Sequence, residues 1–399
     1  MEFWLCLYGI TSFLGLVNIL IPNKYRILLL YNLVFVLWFI AAFRYMIGTD
    51  YNMYMTYFIQ DVFLTVWDEG DVIAEPANIC ITLFVKAIGC GSQMYFLIYE
   101  TIIMYFFYQG AKKLSDNVYT LFLIIILYTV IYMPGTYYWS MNAIRQAAAI
   151  SICFWGSSFY FYGQINKAIL VFIFAMTFHL SVPIMIIIFL LTVKLITRIK
   201  FTMLKIISLI TLALMMTLTG ISAKCLFFVL TNLPNYGDKY GDYVAMLSDE
   251  VSPTLGLLIV LTIIFITMSY HWLKNYKQSF FNKKIYSLVL IFMIIRILTS
   301  FQFVIQSIDV VAMIEAMLHR VDSYFVPFFI LAIARWLNWE LFTVKHNFMK
   351  ATLITMIIIS LFAMHSIRNI DIVANSITAF NNPSAGNIKY QMRFDLFNE

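Results

Sequence analysis

The sequence predicts an all-α protein, a polytopic membrane helix bundle with about 12 transmembrane helices and outward-facing loops. Three observations predict it. Of 399 residues, 62% are hydrophobic and only 12% charged, whereas a soluble chain carries about 25% charged residues. Apolar windows long enough to cross a bilayer recur along the chain between short polar connections. The Lys and Arg residues crowd into alternate connections. So little polar surface excludes a soluble enzyme, a disordered protein and a nucleic-acid binder of the basic-patch kind.

The windows place helices near 3–21, 27–47, 94–111, 118–134, 143–161 and 167–180. Further ones fall near 182–197, 203–222, 254–273, 285–305, 321–337 and 350–368. No basic segment precedes the first, so it reads as a membrane helix and not as a secretory signal. Residues 77–90 are apolar but too short to span, and read as an interfacial or re-entrant helix. Residues 1–368 form one integral-membrane domain, and the tail 369–399 is polar.

Charge sets the orientation. Lys24, Arg26, Lys112, Lys113, Arg198, Lys200, Lys274 and Lys283 are among many cations in one set of loops, against the acids Asp116 and Glu340. The opposite side holds nearly all the other acids, including Asp61, Asp68, Glu69, Asp71 and Glu75. Short basic loops stay cytoplasmic, so both termini and the larger loops 48–93 and 231–253 face outward. In a bacterium that side is periplasmic, across the cytoplasmic (inner) membrane. The cysteines Cys6, Cys80, Cys90, Cys153 and Cys225 lack metal spacing and read as free thiols, with Cys80 and Cys90 alone placed to share an outer loop.

Charges at membrane depth cost about 2.5–3.5 kcal/mol each on insertion scales, so each needs a reason. Arg44 stands near the outer end of the second helix, where the helix dipole favours a cation, with Gly48 as a stop and Asp50 in the turn. Asn142 is a natural N-cap for the fifth helix, and Asn142, Arg145, Gln146 and Ala149 share one face. A cation in the first turn opposes the dipole and invites an anion; helix N-terminus plus arginine suits phosphate. The alternative is Arg145 snorkelling to lipid headgroups. Arg320, Ser323, Tyr324 and Pro327 repeat the pattern at the start of the eleventh helix. His179 closes the sixth helix, as a structural histidine, a base or a phosphate ligand. Glu100 and Arg296 lie inside the third and tenth spans and either neutralise each other or line a polar cavity. HExxH, GxSxG, Walker and dinucleotide patterns do not occur, and neither a metal nor a cofactor is expected.

Arg44-x-x-x-Gly48-Thr49-Asp50 with Tyr54, Glu75-Pro76, Asn142-x-x-Arg145-Gln146, Phe178-His179-x-Ser181 and Arg320 with Tyr324 follow one another in order. In these the chain resembles the EpsG-like branch of Wzy-type polysaccharide repeat-unit polymerases, from about residue 40 to 330. The tail's Lys389-Tyr390-Gln391 only loosely echoes the Pro-Tyr ending of that group. The resemblance implies an undecaprenyl-diphosphate-linked glycan donor and acceptor at the outer face of the membrane, for O-antigen, capsule or exopolysaccharide. It also implies a chain-length regulator and a flippase of the same pathway as partners. Arg145 and Arg320, with Arg44 third, would hold the leaving diphosphate, beside Asn142, Gln146 and Tyr324. Asp50 or His179 would be the base, and Tyr51, Tyr54, Tyr137, Tyr138 and Trp139 would stack on sugars or form an interfacial belt. The competing readings are a lipid-linked oligosaccharide flippase and an O-antigen ligase. A transporter gathers its charges around the midplane, whereas here most acids and singled-out polar groups sit outside.

Overall fold

The computed structural model describes residues 2–45, 47, 50–60, 75–219, 221, 254–274, 283–299, 320–342, 354–364, 366 and 391–392. Gly48, Thr49, Asp61, Asp68, Glu69, Asp71, Cys225, loop 231–253 and most of the tail lie outside the described residues. The chain divides into two units, Met1–Ile186 with Leu337–Glu399, and Ile187–Trp336.

The first unit opens with α1 (Glu2–Leu20) and α2 (Asn23–Ala42). Arg26 joins them by donating to the carbonyls of Asn18 at 2.8 Å and Ile21 at 2.7 Å, groups that the end of α1 leaves without helical partners. A two-residue strand β1 (Arg44–Tyr45) follows, then α3 (Tyr51–Ile59), α4 (Pro76–Ala87) and α5 (Ser92–Leu114). Pro76 starts α4 at the one place where a missing N–H costs nothing. Next come α6 (Val118–Val130), capped by Asn117, which accepts from the Thr120 N–H at 2.8 Å, α7 (Tyr137–Ser140), α8 (Ile144–Phe161) and α9 (Ile165–Met176). Helices α5 and α8 pack together, with α9 on α8, α1 on α6, and α2 on α5 and α6. Gly110 permits the closest approach: a Cβ there would lie 2.7 Å from Phe154 and 3.1 Å from the Trp155 backbone. Farther on, a short strand β2 (Gln391–Met392) pairs antiparallel with β1, Arg44 opposite Met392.

The second unit contains most of α10 (Val182–Leu195), and then α11 (Met203–Leu218), α12 (Thr254–Lys274) and α13 (Lys283–Leu298); α11, α12 and α13 pack on one another. A 3-10 turn, Ser323–Phe325, then leads into α14 (Val326–Phe342). A last apolar helix, Ile354–Met364, belongs to the first unit.

Polarity is inverted relative to a water-soluble protein. Leu20, Leu170 and Leu204 are strongly exposed, while Thr11, Asn18, Gln93, Thr120 and Ser157 are buried. Exteriors of this kind suit a hydrocarbon solvent and would aggregate in water. Among the described residues one helix, Asn23–Ala42, has both the length and the apolarity to cross a membrane. Others are shorter: α6, at 13 residues, reaches about 20 Å of a hydrocarbon layer about 30 Å thick. The helical class and the apolar helices therefore hold, compatible with a membrane protein.

Two sequence expectations need correction. The second helix ends at Ala42, with Phe43 as its cap, so Arg44 belongs to an extended segment and not to the helix end. Glu100 and Arg296 do not pair with each other: Glu100 binds Arg44, and Arg296 binds Asp322. Hydropathy windows register a charge's depth but carry no information about which element faces it. The short helix expected over 77–90 is present as α4, and Cys6, Cys80, Cys90 and Cys153 are free thiols.

Candidate functional site

The first unit brings four separate segments of chain together around Arg145. Pro134-Gly135 turns the chain, with Gly135 at φ 91°, a left-handed conformation that favours glycine. Thr136 then fixes the turn by donating to the carbonyl of Ile131 at 2.7 Å. After α7, α8 begins with Ala143 as cap and Arg145 in its first turn. Asn142 is thus not the N-cap. Its side-chain oxygen instead accepts from the backbone N–H of Asp50 at 3.0 Å, which ties the start of α3 to the start of α8. A local propensity lost to a tertiary hydrogen bond.

Arg145 donates to the carboxylate of Glu75, the residue that precedes α4. Its guanidinium also lies 5.5 Å from the centroid of the Tyr54 ring. The Arg145 side chain is 26% exposed and that of Glu75 only 6%, so the pair opens to its surroundings on the arginine side. Burial pushes the Tyr54 hydroxyl up to about 12, although the neighbouring Arg145 pulls the other way. Beneath them the buried Asn78 accepts from Tyr95 at 2.5 Å and from Tyr99 at 2.9 Å. The Ala77 N–H donates to the Thr177 carbonyl at 3.0 Å, and Phe178 meets Tyr99 edge-on. The turn that carries His179 is thereby held against the start of α4.

His179 has a defined tautomer. Its Nδ1 accepts from the Ser181 N–H at 3.2 Å and lies 2.7 Å from the Ser181 hydroxyl. A ring nitrogen that accepts a backbone N–H carries no proton, so the neutral ring holds its hydrogen on Nε2. Nε2 is then the donor nitrogen of the ring.

Arg44 is enclosed completely. It donates to Glu100 at 2.6 Å, to the Ala41 carbonyl at 2.6 Å and to the Met141 carbonyl at 3.1 Å, and lies over the Phe96 ring. This cation ties α2, α5 and the α7–α8 turn together and is out of reach of a ligand. Several aromatics expected at the site are core residues: Tyr51 stacks on Phe96, Tyr137 donates to the Leu37 carbonyl at 2.7 Å, and Tyr138 packs on Trp4. Trp139 remains half-exposed, whereas Gln146 is buried.

Arg320 and Tyr324 stand in the second unit. Tyr324 lies in the 3-10 turn that precedes α14 and is buried, whereas Arg320 is half-exposed. Asp322, between them in sequence, binds Arg296 of α13 at 3.0 Å.

These segments run along the chain in the order 44–54, 75–78, 142–146, 177–181 and 320–324. The family model of the EpsG family matches residues 27–383. The chain belongs to the EpsG family. No curated protein and no solved structure matches it. The EpsG family is one of polymerase-type enzymes of exopolysaccharide biosynthesis, and residues 27–383 include every segment just described.

Sequence reasoning had no direct signal for the partners. Glu75 appeared as one acid of an outer run and in the Glu75-Pro76 motif, neither of which says anything of an arginine 70 positions later. Asn78, Tyr95 and Tyr99 carried no signal at all, since aromatics in an apolar window read as packing.

Proposed function

We propose that this EpsG-family chain polymerises undecaprenyl-diphosphate-linked oligosaccharide repeats at the outer face of the bacterial cytoplasmic membrane. The observation that carries the reading is Arg145: a partly exposed guanidinium in the first turn of α8, with a carboxylate and a tyrosine beside it. Transfer of a glycan from a diphosphate carrier develops negative charge on the leaving group, and a fixed guanidinium stabilises that charge. Arg145 takes the diphosphate, with Asn142 and Gln146 on the same stretch of chain, and the family resemblance makes Arg320 and Tyr324 further candidates for substrate. Arg44 serves as scaffold. Asp50 is a candidate to receive the acceptor's proton, and His179 is better suited to donate Nε2–H to a phosphate or sugar oxygen.

In this reading about twelve helices span the membrane, loops 48–93 and 231–253 and both termini face outward, and the product is O-antigen, capsule or exopolysaccharide. A flippase and a chain-length regulator work alongside. The buried pairs Arg44–Glu100 and Arg296–Asp322 neutralise the in-depth charges that would otherwise favour a transporter. Deletion of the gene tests the function. A polymerase null accumulates single repeats on the carrier at the outer face; a missing flippase traps them on the cytoplasmic side, and a missing ligase leaves finished polymer on the carrier.

A further inference from the structure

We propose that Glu75, in place of Asp50, is the base of the polymerisation, held in reserve on Arg145 until the donor's diphosphate displaces it. The inference rests on the reading of Arg145 as a diphosphate ligand and adds a residue and an order of events. Arg145 already holds an anion, and that anion belongs to the protein. A diphosphate carries more charge and more acceptor oxygens than one carboxylate, so it competes for the same guanidinium donors. Arg145 is the exposed member of the pair, so the ligand meets it first.

The displaced carboxylate cannot travel far. Its backbone caps α4 through bonds from the Asn78 and Ile79 N–H groups to the Glu75 carbonyl, at 3.0 and 3.4 Å. Pro76 stiffens the same point. Glu75 therefore stays within one side-chain length of the diphosphate that replaced it. Tyr54 of α3 and Tyr95 and Tyr99 of α5 each lie within electrostatic reach of both Glu75 and Arg145, and Asp50, at the start of α3, lies within reach of Tyr54. Arg145 is the cation among them; once it turns to the diphosphate, Glu75 loses the partner that kept it from accepting a proton. The acceptor sugar's hydroxyl oxygen then bonds to the donor's anomeric carbon while its proton passes to the Glu75 carboxylate. The anomeric C–O bond to the diphosphate breaks, and its electron pair leaves with the carrier diphosphate on Arg145. The proton on Glu75 is released to water as the ion pair re-forms.

The test uses the full chain purified in detergent, inorganic pyrophosphate as binding probe, and the native lipid-linked repeat extracted from a deletion strain as substrate. Glu75→Gln removes the competing anion and the base while keeping shape. Pyrophosphate should bind it several-fold more tightly than wild type, a gain that misfolding does not produce, and Arg145→Gln should abolish binding. In the same Glu75→Gln protein kcat should fall at least about 100-fold, the scale of a lost general base. Glu75→Asp keeps a carboxylate on a shorter arm and should be clearly faster than Glu75→Gln. Equal or weaker pyrophosphate binding by Glu75→Gln overturns the gate. A kcat within about threefold of wild type, or an aspartate variant no faster than the glutamine one, overturns the base. If wild type makes no polymer from the repeat, the polymerase reading itself fails, and that result is separate from the binding comparison.

Discussion

Arg44 and Glu100 meet at 2.6 Å with both side chains wholly excluded from the surroundings. Such a pair is expensive to desolvate and expensive to break, because removal of one member strands the other. The Glu100 Oε2 and the Arg44 Nε find no further hydrogen-bond partner among the described residues, so the pair is only partly satisfied.

Glu100→Gln should therefore destabilise the protein by about 3–5 kcal/mol. The double replacement Arg44→Met with Glu100→Leu should recover much of that loss. Thermal unfolding in detergent of the single and double variants measures both. Strict additivity of the two single effects would show that the pair is not a unit.

Arg145→Ala and Arg320→Ala should each abolish the polymer ladder on a gel of surface glycan while the protein persists in the membrane. The two residues differ in setting, one paired with Glu75 and the other half-exposed in the second unit. Normal ladders from both variants would remove arginine from the diphosphate chemistry altogether.

Asn142→Ala removes the acceptor of the Asp50 N–H and should cost about 1 kcal/mol of stability. Its larger effect should be on rate, since that bond ties the starts of α3 and α8 together. Unfolding midpoints and polymerisation rates measured side by side separate the two.

His179→Gln should retain more activity than His179→Ala. The glutamine amide can place an N–H where Nε2–H stands in the assigned tautomer. Equal inactivity in both variants would point to proton abstraction by the ring.

Tyr54 gives the alkaline signature. Its hydroxyl is raised by burial from an ordinary 10.0 to about 12. The folded state thus holds this proton more tightly than the unfolded chain. The resulting stability is complete below pH 10 and is lost as pH rises through about 12. Tyr54→Phe should flatten that part of the alkaline unfolding curve, followed by tyrosinate absorbance.

The helices were legible in the sequence because long apolar runs stand out between short polar connections, and α5, α8, α10 and α12 begin and end near the expected positions. What escaped was pairing. Arg145 was recognisable as a cation that needs an anion, yet the structure supplies Glu75, which sequence showed as one of several outer acids and in the Glu75-Pro76 motif. Arg44 looked available because it was placed at the outer end of a helix, whereas the carbonyls of Ala41 and Met141 and the Glu100 carboxylate close over it. Contacts between α2, α5 and the α7–α8 turn decide this, and no local pattern encodes them. Asn142 failed as a cap for the same reason.

The ladder between Arg44–Tyr45 and Gln391–Met392 also bears on how the chain is made. One of its strands leaves the ribosome early and the other almost a whole chain length later. The segment beside Arg44 waits with an open backbone edge through most of synthesis and is closed only when the far end arrives. Completion of this corner is thus a late event, which waits on a segment 347 residues farther along the chain than Arg44.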